Sequence, residues 1–259
     1  MFVFGMTAVV GCSREESVEE EPVGSAHSRD VQQVRANRIR QALEKGKARK
    51  SKSEKEDLTP VQKKVLPQVV PEEGDAEYQA LPPVERQTLQ EVQVALDEDD
   101  YEKTVVALQK VSVSSSPLVR RRAAEALGWF GKKALPDVVM FLADSDEDVR
   151  STAQASVEQS INEMESEAEK VAAIERLMMI RGACDEDTLV MLAGELNGIF
   201  DETLTVAAAS RVIEAGVNPE GVSAMKEVYE FVTGEEYSGA EAANQWIEST
   251  REEQMANED

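Results

Sequence analysis

Pro117-Leu118-Val119-Arg120-Arg121-Arg122-Ala123-Ala124-Glu125-Ala126-Leu127-Gly128 and, thirty residues on, Glu147-Asp148-Val149-Arg150-Ser151-Thr152-Ala153-Gln154-Ala155-Ser156-Val157 are two copies of one pattern. Val119 falls on Val149, Arg120 on Arg150, Ala123 on Ala153 and Leu127 on Val157. Apolar residues at these spacings of three and four share one face of a helix. Between the copies, Ala134-Leu135-Pro136-Asp137 opens a second helix carrying Val138, Val139, Phe141 and Leu142, which ends at Ala143-Asp144-Ser145-Asp146. A pair of short helices cannot hide its apolar face alone, so a pair that recurs at a fixed period must stack on its neighbours.

The cycle resembles the HEAT-like repeats of bacterial proteins, in which V-R-x-x-A-x-x-A-L-G is followed by a short turn and a second helix. The resemblance is close over about residues 103–161. It implies an all-α fold, an α-solenoid or superhelix of helical hairpins, and a surface for binding other proteins. In that family the arginine at this place bonds to acidic groups in the turns between helices. Arg120 and Arg150 are therefore expected to pair with Asp144, Asp146 or Asp148 in a structural role, because charged groups in a repeat stack persist when paired. Val119, Arg120, Asp146, Val149 and Arg150 make up the structural signature of the repeat. Small residues such as Ala123, Ala126 and Ala153 let neighbouring helices approach closely.

Outward from this pair the hairpins continue. Pro82-Pro83 opens a helix with Val84, Leu89, Val92 and Leu96, and Asp99-Asp100-Tyr101 starts another with Val105, Leu108 and Val111. Ser116-Pro117 then supplies an N-cap and a proline at the first helical position. Beyond 161 the period drifts. Val171, Ile174, Leu177 and Met178 mark one helix and Leu189, Leu192, Leu196 and Ile199 the next. Asp201 caps a helix with Leu204, Ala208 and Val212, and Asn218-Pro219 opens one with Val222, Met225 and Val228. A final helix after Ser238-Gly239-Ala240-Glu241 carries Trp246 and Ile247, and Trp246 is expected to close the apolar edge of the stack.

The N-terminal segment reads differently. Met1 to Gly11 carries no charge and ends in Val9-Val10-Gly11-Cys12, after which Ser13, Arg14, Glu15 and Glu16 turn the chain polar. This resembles a bacterial lipoprotein signal and implies lipidation of Cys12 as the mature N-terminus. An apolar run of ~10 residues fits the core of a secretory signal and is too short to span a bilayer. The departure from the pattern is the missing positive n-region, which a start codon upstream of Met1 would supply. The resemblance implies a lipid-anchored protein of the bacterial cell envelope on the periplasmic side, and Ser13 after Cys12 leans toward the outer membrane. A cytosolic adaptor without an anchor is the alternative.

The organisation expected is a signal segment over 1–12, a charged linker over 13–81 that is disordered or partly helical, the HEAT-like solenoid over 82–251, and a disordered acidic tail over 252–259. The linker holds nine basic residues between Arg35 and Lys55 against two acidic ones, Glu44 and Glu54. Few large apolar residues accompany them, so most of the segment cannot offset its ordering entropy. Ser28 is a possible cap for a helix bearing Val31, Val34, Ile39 and Leu43, and Thr59-Pro60-Val61-Gln62 has the form of a capping box. Reach from an anchor is the role this composition suits, with the basic run facing anionic headgroups or simply solvated.

Composition narrows the function. Asp and Glu number 51 against 28 Lys and Arg, a net charge of −23, which repels phosphate backbones and argues against nucleic acid as a partner. The one histidine, His27, lies in the linker, so the folded part offers no His-based triad or two-histidine zinc site. Cys184 beside Arg181 reads as a turn thiol. Asp144-Ser145-Asp146-Glu147-Asp148 lacks the glycine and distal glutamate of a calcium loop and reads as an N-cap and turn. No cofactor, metal or small-molecule substrate is expected. HEAT-like repeats also occur in lyases that attach bilins to phycobiliproteins, but no convergent polar cluster here supports an enzyme. The reading is a non-catalytic protein-interaction scaffold, tethered to a membrane through Cys12, with Trp129 beside the Gly128 turn as the candidate partner contact.

Overall fold

The computed structural model describes residues 25–53, 66–71, 75–110, 114–180, 182 and 185–258. Its regular structure is helical, with no strand among the described residues. In chain order the helices are α1 (Ser25–Ser53), α2 (Ala76–Ala80), α3 (Pro83–Asp97), α4 (Tyr101–Gln109), α5 (Pro117–Trp129), α6 (Leu135–Val138), α7 (Glu147–Asn162), α8 (Glu167–Met179), α9 (Glu186–Asn197), α10 (Glu202–Ala215), α11 (Pro219–Thr233) and α12 (Ala240–Glu258). The chain is an all-α solenoid: hairpins α3/α4, α5/α6 and α7/α8 follow in order with α7 stacked on α5, and beyond them α8, α10 and α12 lie side by side on one layer and α9 and α11 on the other, α10 packing closely on α11.

Acidic and hydroxyl side chains start the helices where the sequence placed turns. Asp100, Asp146, Ser166, Asp185 and Asp201 each accept a hydrogen bond from a backbone N–H in the first turn that follows. Each satisfies a donor the helix itself leaves open. Two expected caps behave otherwise. Ser116 makes no side-chain cap bond, and Ser114 Oγ accepts from the Ser116 N–H instead at 3.0 Å. Asn218 turns away from α11 and donates to the Met178 carbonyl at 2.9 Å, stitching α11 to the end of α8.

Close packing follows the small residues. Val119, Ala123, Ala124 and Ala126 on α5 and Val149, Ala153 and Val157 on α7 are fully buried. Where α5 and α7 cross, a Cβ on Gly128 would lie 2.7 Å from the Ser156 Cβ. Only a glycine fits there. The helix expected after Ala134 is a single α-helical turn, α6, followed by a 3₁₀ turn over Val139–Phe141. Phe141 and Leu142 are nevertheless buried, so the layer is filled without a regular helix.

Both ends of the stack differ from expectation. Residues 66–71 and 75–81, assigned to the linker, pack on the first hairpin: Val69, Tyr78 and Leu81 are buried, and Gln93 on α3 accepts from the Val69 N–H at 2.8 Å. The linker also holds α1, which starts at Ser25, ahead of Ser28, and lies across α9 and α11. At the other end α12 continues through Glu258, so the acidic tail is helical where the sequence reading left it disordered. Arg251, Glu252, Glu253, Gln254, Met255 and Ala256 are strong helix formers that need no burial to extend a helix already begun. The edge of α10 is covered by Ala243 and Ile247, with Trp246 half-buried beside them.

Candidate functional site

The two signature arginines are built into the frame. Arg120 Nε and Nη2 donate to both oxygens of Asp144 at 2.7 and 2.8 Å, and Nη1 donates to the Ser114 carbonyl at 2.7 Å. Arginine and aspartate are only 13% and 9% exposed. The guanidinium hydrogen bonds hold the Asp144 carboxyl below its ordinary range, although burial pushes the other way. Arg150 repeats the arrangement one hairpin on, with Nη1 donating back to the Asp144 carbonyl at 2.8 Å and Nε reaching forward to Asp185 at 3.2 Å. Gln154 donates to Asp185 and Thr188 from the same helix face. Of the three aspartates expected to serve as partners, Asp144 takes Arg120, Asp146 caps α7, and Asp148 lies 3.8 Å from Arg121. Arg150 finds its carboxylate at Asp185, outside the local sequence, because it points into the next hairpin.

Trp129 ends α5 and packs half-buried against the core, with its indole N–H donating to Asp99 at 3.2 Å. Asp99 sits in the α3–α4 turn with φ of 54°, a conformation that aspartate tolerates better than most residues. Next to it Tyr101 donates to Asp137, stacks edge-on against Phe130 at 5.3 Å and carries Lys133 over its ring at 4.5 Å. Burial and the Asp137 carboxylate push the Tyr101 hydroxyl up to about 12. This corner locks the first two hairpins together.

Two surfaces offer apolar contact. The first is a groove of about 400 Å³ along the outside of α3 and α4. Val94 and Val106, 56% and 59% exposed, face it, and Glu91, Glu102, Lys103 and Lys110 rim it. Lys110 pairs with Glu91 at 3.0 Å across one end. The second is the face of α9 and α11, already occupied by α1. Ile39 and Leu43 are buried there, and a Cβ on Gly46 would lie 2.5 Å from the Gly194 carbonyl oxygen. Asn197 donates to the Leu43 carbonyl. Around this contact Arg38 pairs with Glu186 and Asp187, Arg40 with Glu227 and Glu230, and Lys47 lies over the Phe231 ring.

Arg38 and Arg40 of the basic run are thus matched to acidic helices of their own chain, a pairing that the sequence reading missed. Its one visible signal is Gly46, a glycine inside a run of helix formers, which weakens a helix unless another backbone passes close by. Cys12 and Cys184 lie outside the described residues, and of His27 only the helical backbone is described. Among the described residues no group of three or more His, Cys, Asp or Glu side chains is placed to hold a metal ion. No described helix is long and apolar enough to cross a membrane.

The family model of HEAT repeats matches residues 82–158, from the start of α3 into α7. Comparison with curated proteins and with solved structures gives no match. The matched stretch holds both copies of the valine–arginine pattern, and the hairpins beyond it continue the same stack.

Proposed function

We propose that this HEAT-like repeat protein is a non-catalytic scaffold that binds a protein partner while held at a membrane by lipid on Cys12. The observation that carries the binding role is the groove of α3 and α4, inside the matched repeats. Val94 and Val106 sit side by side on neighbouring helices, more than half exposed, within a charged rim of both signs. An apolar centre enclosed by a polar rim is the usual anatomy of a protein interface. Trp129, at the end of α5 and bonded to Asp99 in the α3–α4 turn, adds an aromatic edge to the same end of the stack. The anchor rests on the sequence Met1 to Cys12 alone, with its apolar run, its small residue before the cysteine and its abrupt polar turn.

Affinity purification from the native membrane fraction tests the binding role. The wild-type chain is compared with Val94→Glu/Val106→Glu and with Trp129→Ala. Loss of a co-purifying protein in the double variant is expected, with a smaller loss for Trp129→Ala. Undiminished capture by both variants sinks the assignment of this end. Mass spectrometry of the mature N-terminus tests the anchor separately, since a soluble chain that retains Met1 carries no lipid on Cys12.

A further inference from the structure

Most of α1 is a poor helix to find inside a folded protein. Between Val34 and Ala48 it buries only two large side chains, Ile39 and Leu43, and Val34 stays 58% exposed. Beyond these it is held by the Gly46–Gly194 crossing, by Asn197 donating to the Leu43 carbonyl and Arg35 donating to the Glu220 carbonyl at 3.2 Å, and by ion pairs in which the side chains of Arg38 and Arg40 are nearly half exposed. Ion pairs of that kind add little and weaken with salt. The fit beneath is nonetheless specific. Ile39, Ala42, Leu43 and Gly46 fall at positions i, i+3, i+4 and i+7, one stripe of a helix. Gly46 lies on the Gly194 backbone and Ala42 on the Gly194 α-carbon side, with 3.4 Å left to an added Cβ. A shaped cleft with an acidic border is filled by a basic helix of the same chain whose apolar stripe is short and whose ion pairs face solvent.

We propose that the face of α9 and α11 is a receptor for a basic helix of a partner protein, and that α1 is its built-in, displaceable occupant. The partner helix would carry aliphatic residues at i and i+4, small residues at i+3 and i+7, and arginines flanking the stripe to meet Glu186, Asp187, Glu227 and Glu230. The inference rests on the reading of the chain as a protein-binding scaffold and names a second binding face with its chemistry. Charge selects the partner. The net charge of −23, with Arg38 and Arg40 paired on this face, leaves a stack that attracts cationic segments. A close glycine crossing then sets which basic helix fits, because a bulkier side chain at i+7 meets backbone. An occupant present on the same chain lowers the apparent affinity of any rival by the fraction of time the face is free.

The test is a fluorescence anisotropy titration of the full chain with a labelled peptide of residues 33–48. Gly46→Leu in the chain drives α1 off the Gly194 backbone, and Arg38→Glu/Arg40→Glu releases it by repulsion without any change in bulk. Both variants are expected to bind the wild-type peptide at least roughly tenfold more tightly than the wild-type chain does. Adding Gly194→Leu to either should abolish binding, and raising salt should weaken it. Far-UV circular dichroism of each variant checks that the stack stays helical. Equal binding by wild-type and both released chains overturns the proposal, as does binding that survives Gly194→Leu. A wild-type chain that dimerises with rising concentration, and is resolved to monomers by the peptide, would hand the site to α1 of a second copy and overturn the assignment to a foreign helix. The titration reads this face alone, so its failure leaves the membrane pull-down through the α3 and α4 groove standing.

Discussion

Asp144 is the residue on which the joint between the second and third hairpins turns. It accepts both nitrogens of Arg120 through its side chain and Arg150 through its carbonyl. Removing one member of such a screened pair leaves the other charge buried without a partner. Asp144→Ala is expected to destabilise the chain by about 3 kcal/mol in urea unfolding, the lower end for a broken buried pair. The same pair sets an acid limb. Because the folded carboxyl is held below its ordinary value, the carboxylate contributes stability that is fully present above the unfolded pKa of roughly 4 and is lost as pH falls through the lower folded pKa. Asp144→Asn should flatten that part of the stability–pH curve relative to wild type while lowering it at neutral pH. Gly128 gives a second, sterically framed prediction. Alanine gains about 1 kcal/mol of helix propensity but must push Ser156 aside, so Gly128→Ala should still lose roughly 1–3 kcal/mol. Ser156→Gly in the same chain should restore part of the loss, a coupling that calorimetric melting of the four variants would show.

At the scale of helices, α3 to α5 and α7 to α12 were legible because their apolar stripes and caps are local, whereas α6 shrinks to a single turn. Leu89, Val92 and Leu96, or Val149, Ala153 and Val157, state their own face without reference to anything distant. The cap residues Asp100, Asp146 and Asp201 do the same. What was not legible is α1 in its docked place. Its stripe is two aliphatic residues long, its charges suit solvent equally well, and the acidic helices that complete it begin at Glu186 and Pro219, far along the chain. The groove of α3 and α4 escaped for a related reason: Val94 and Val106 fall off the stripes of their own helices, and nothing local shows that the packing of α3 on α4 sets the two side by side. Docked α1 also yields a measurable consequence. Burying Ile39 and Leu43 contributes about 1.5–3 kcal/mol each, and ordering the helix opposes it with a comparable sum. Amide exchange over 34–48 should therefore run well ahead of that in α9 and α11, and should accelerate as salt rises from about 0.1 M to 1 M, where the Debye length falls from roughly 10 Å to 3 Å. Protection equal to that of α9 would make α1 an integral layer.

Over the whole molecule, the stack is not evenly joined. Hairpins α5/α6 and α7 meet through alanines, a glycine and fully buried valines, and α8 to α12 pack closely with α1 across them. Between these blocks α7 meets α8 and α9 at few places, and the joint is polar: Arg150 and Gln154 reach Asp185 and Thr188. Repeat arrays lose cooperativity where an interface is weak. Asp185→Ala is expected to split urea unfolding into two transitions, with Trp129 fluorescence reporting the first block and Trp246 the second; a single coincident transition in that variant would show the blocks to be coupled by other means. The arginine ladder has a further consequence of an evolutionary kind. Each rung reaches back to a carbonyl in the turn before its own helix and forward to a carboxylate one hairpin later. Excise residues 117–146, and Arg150 finds the Ser114 carbonyl at the place Asp144 held, while Asp185 still lies ahead and Ser116 replaces Asp146 before the helix. A lineage can therefore lengthen or shorten such a stack by a whole hairpin in one recombination event without leaving an orphaned charge at the seam.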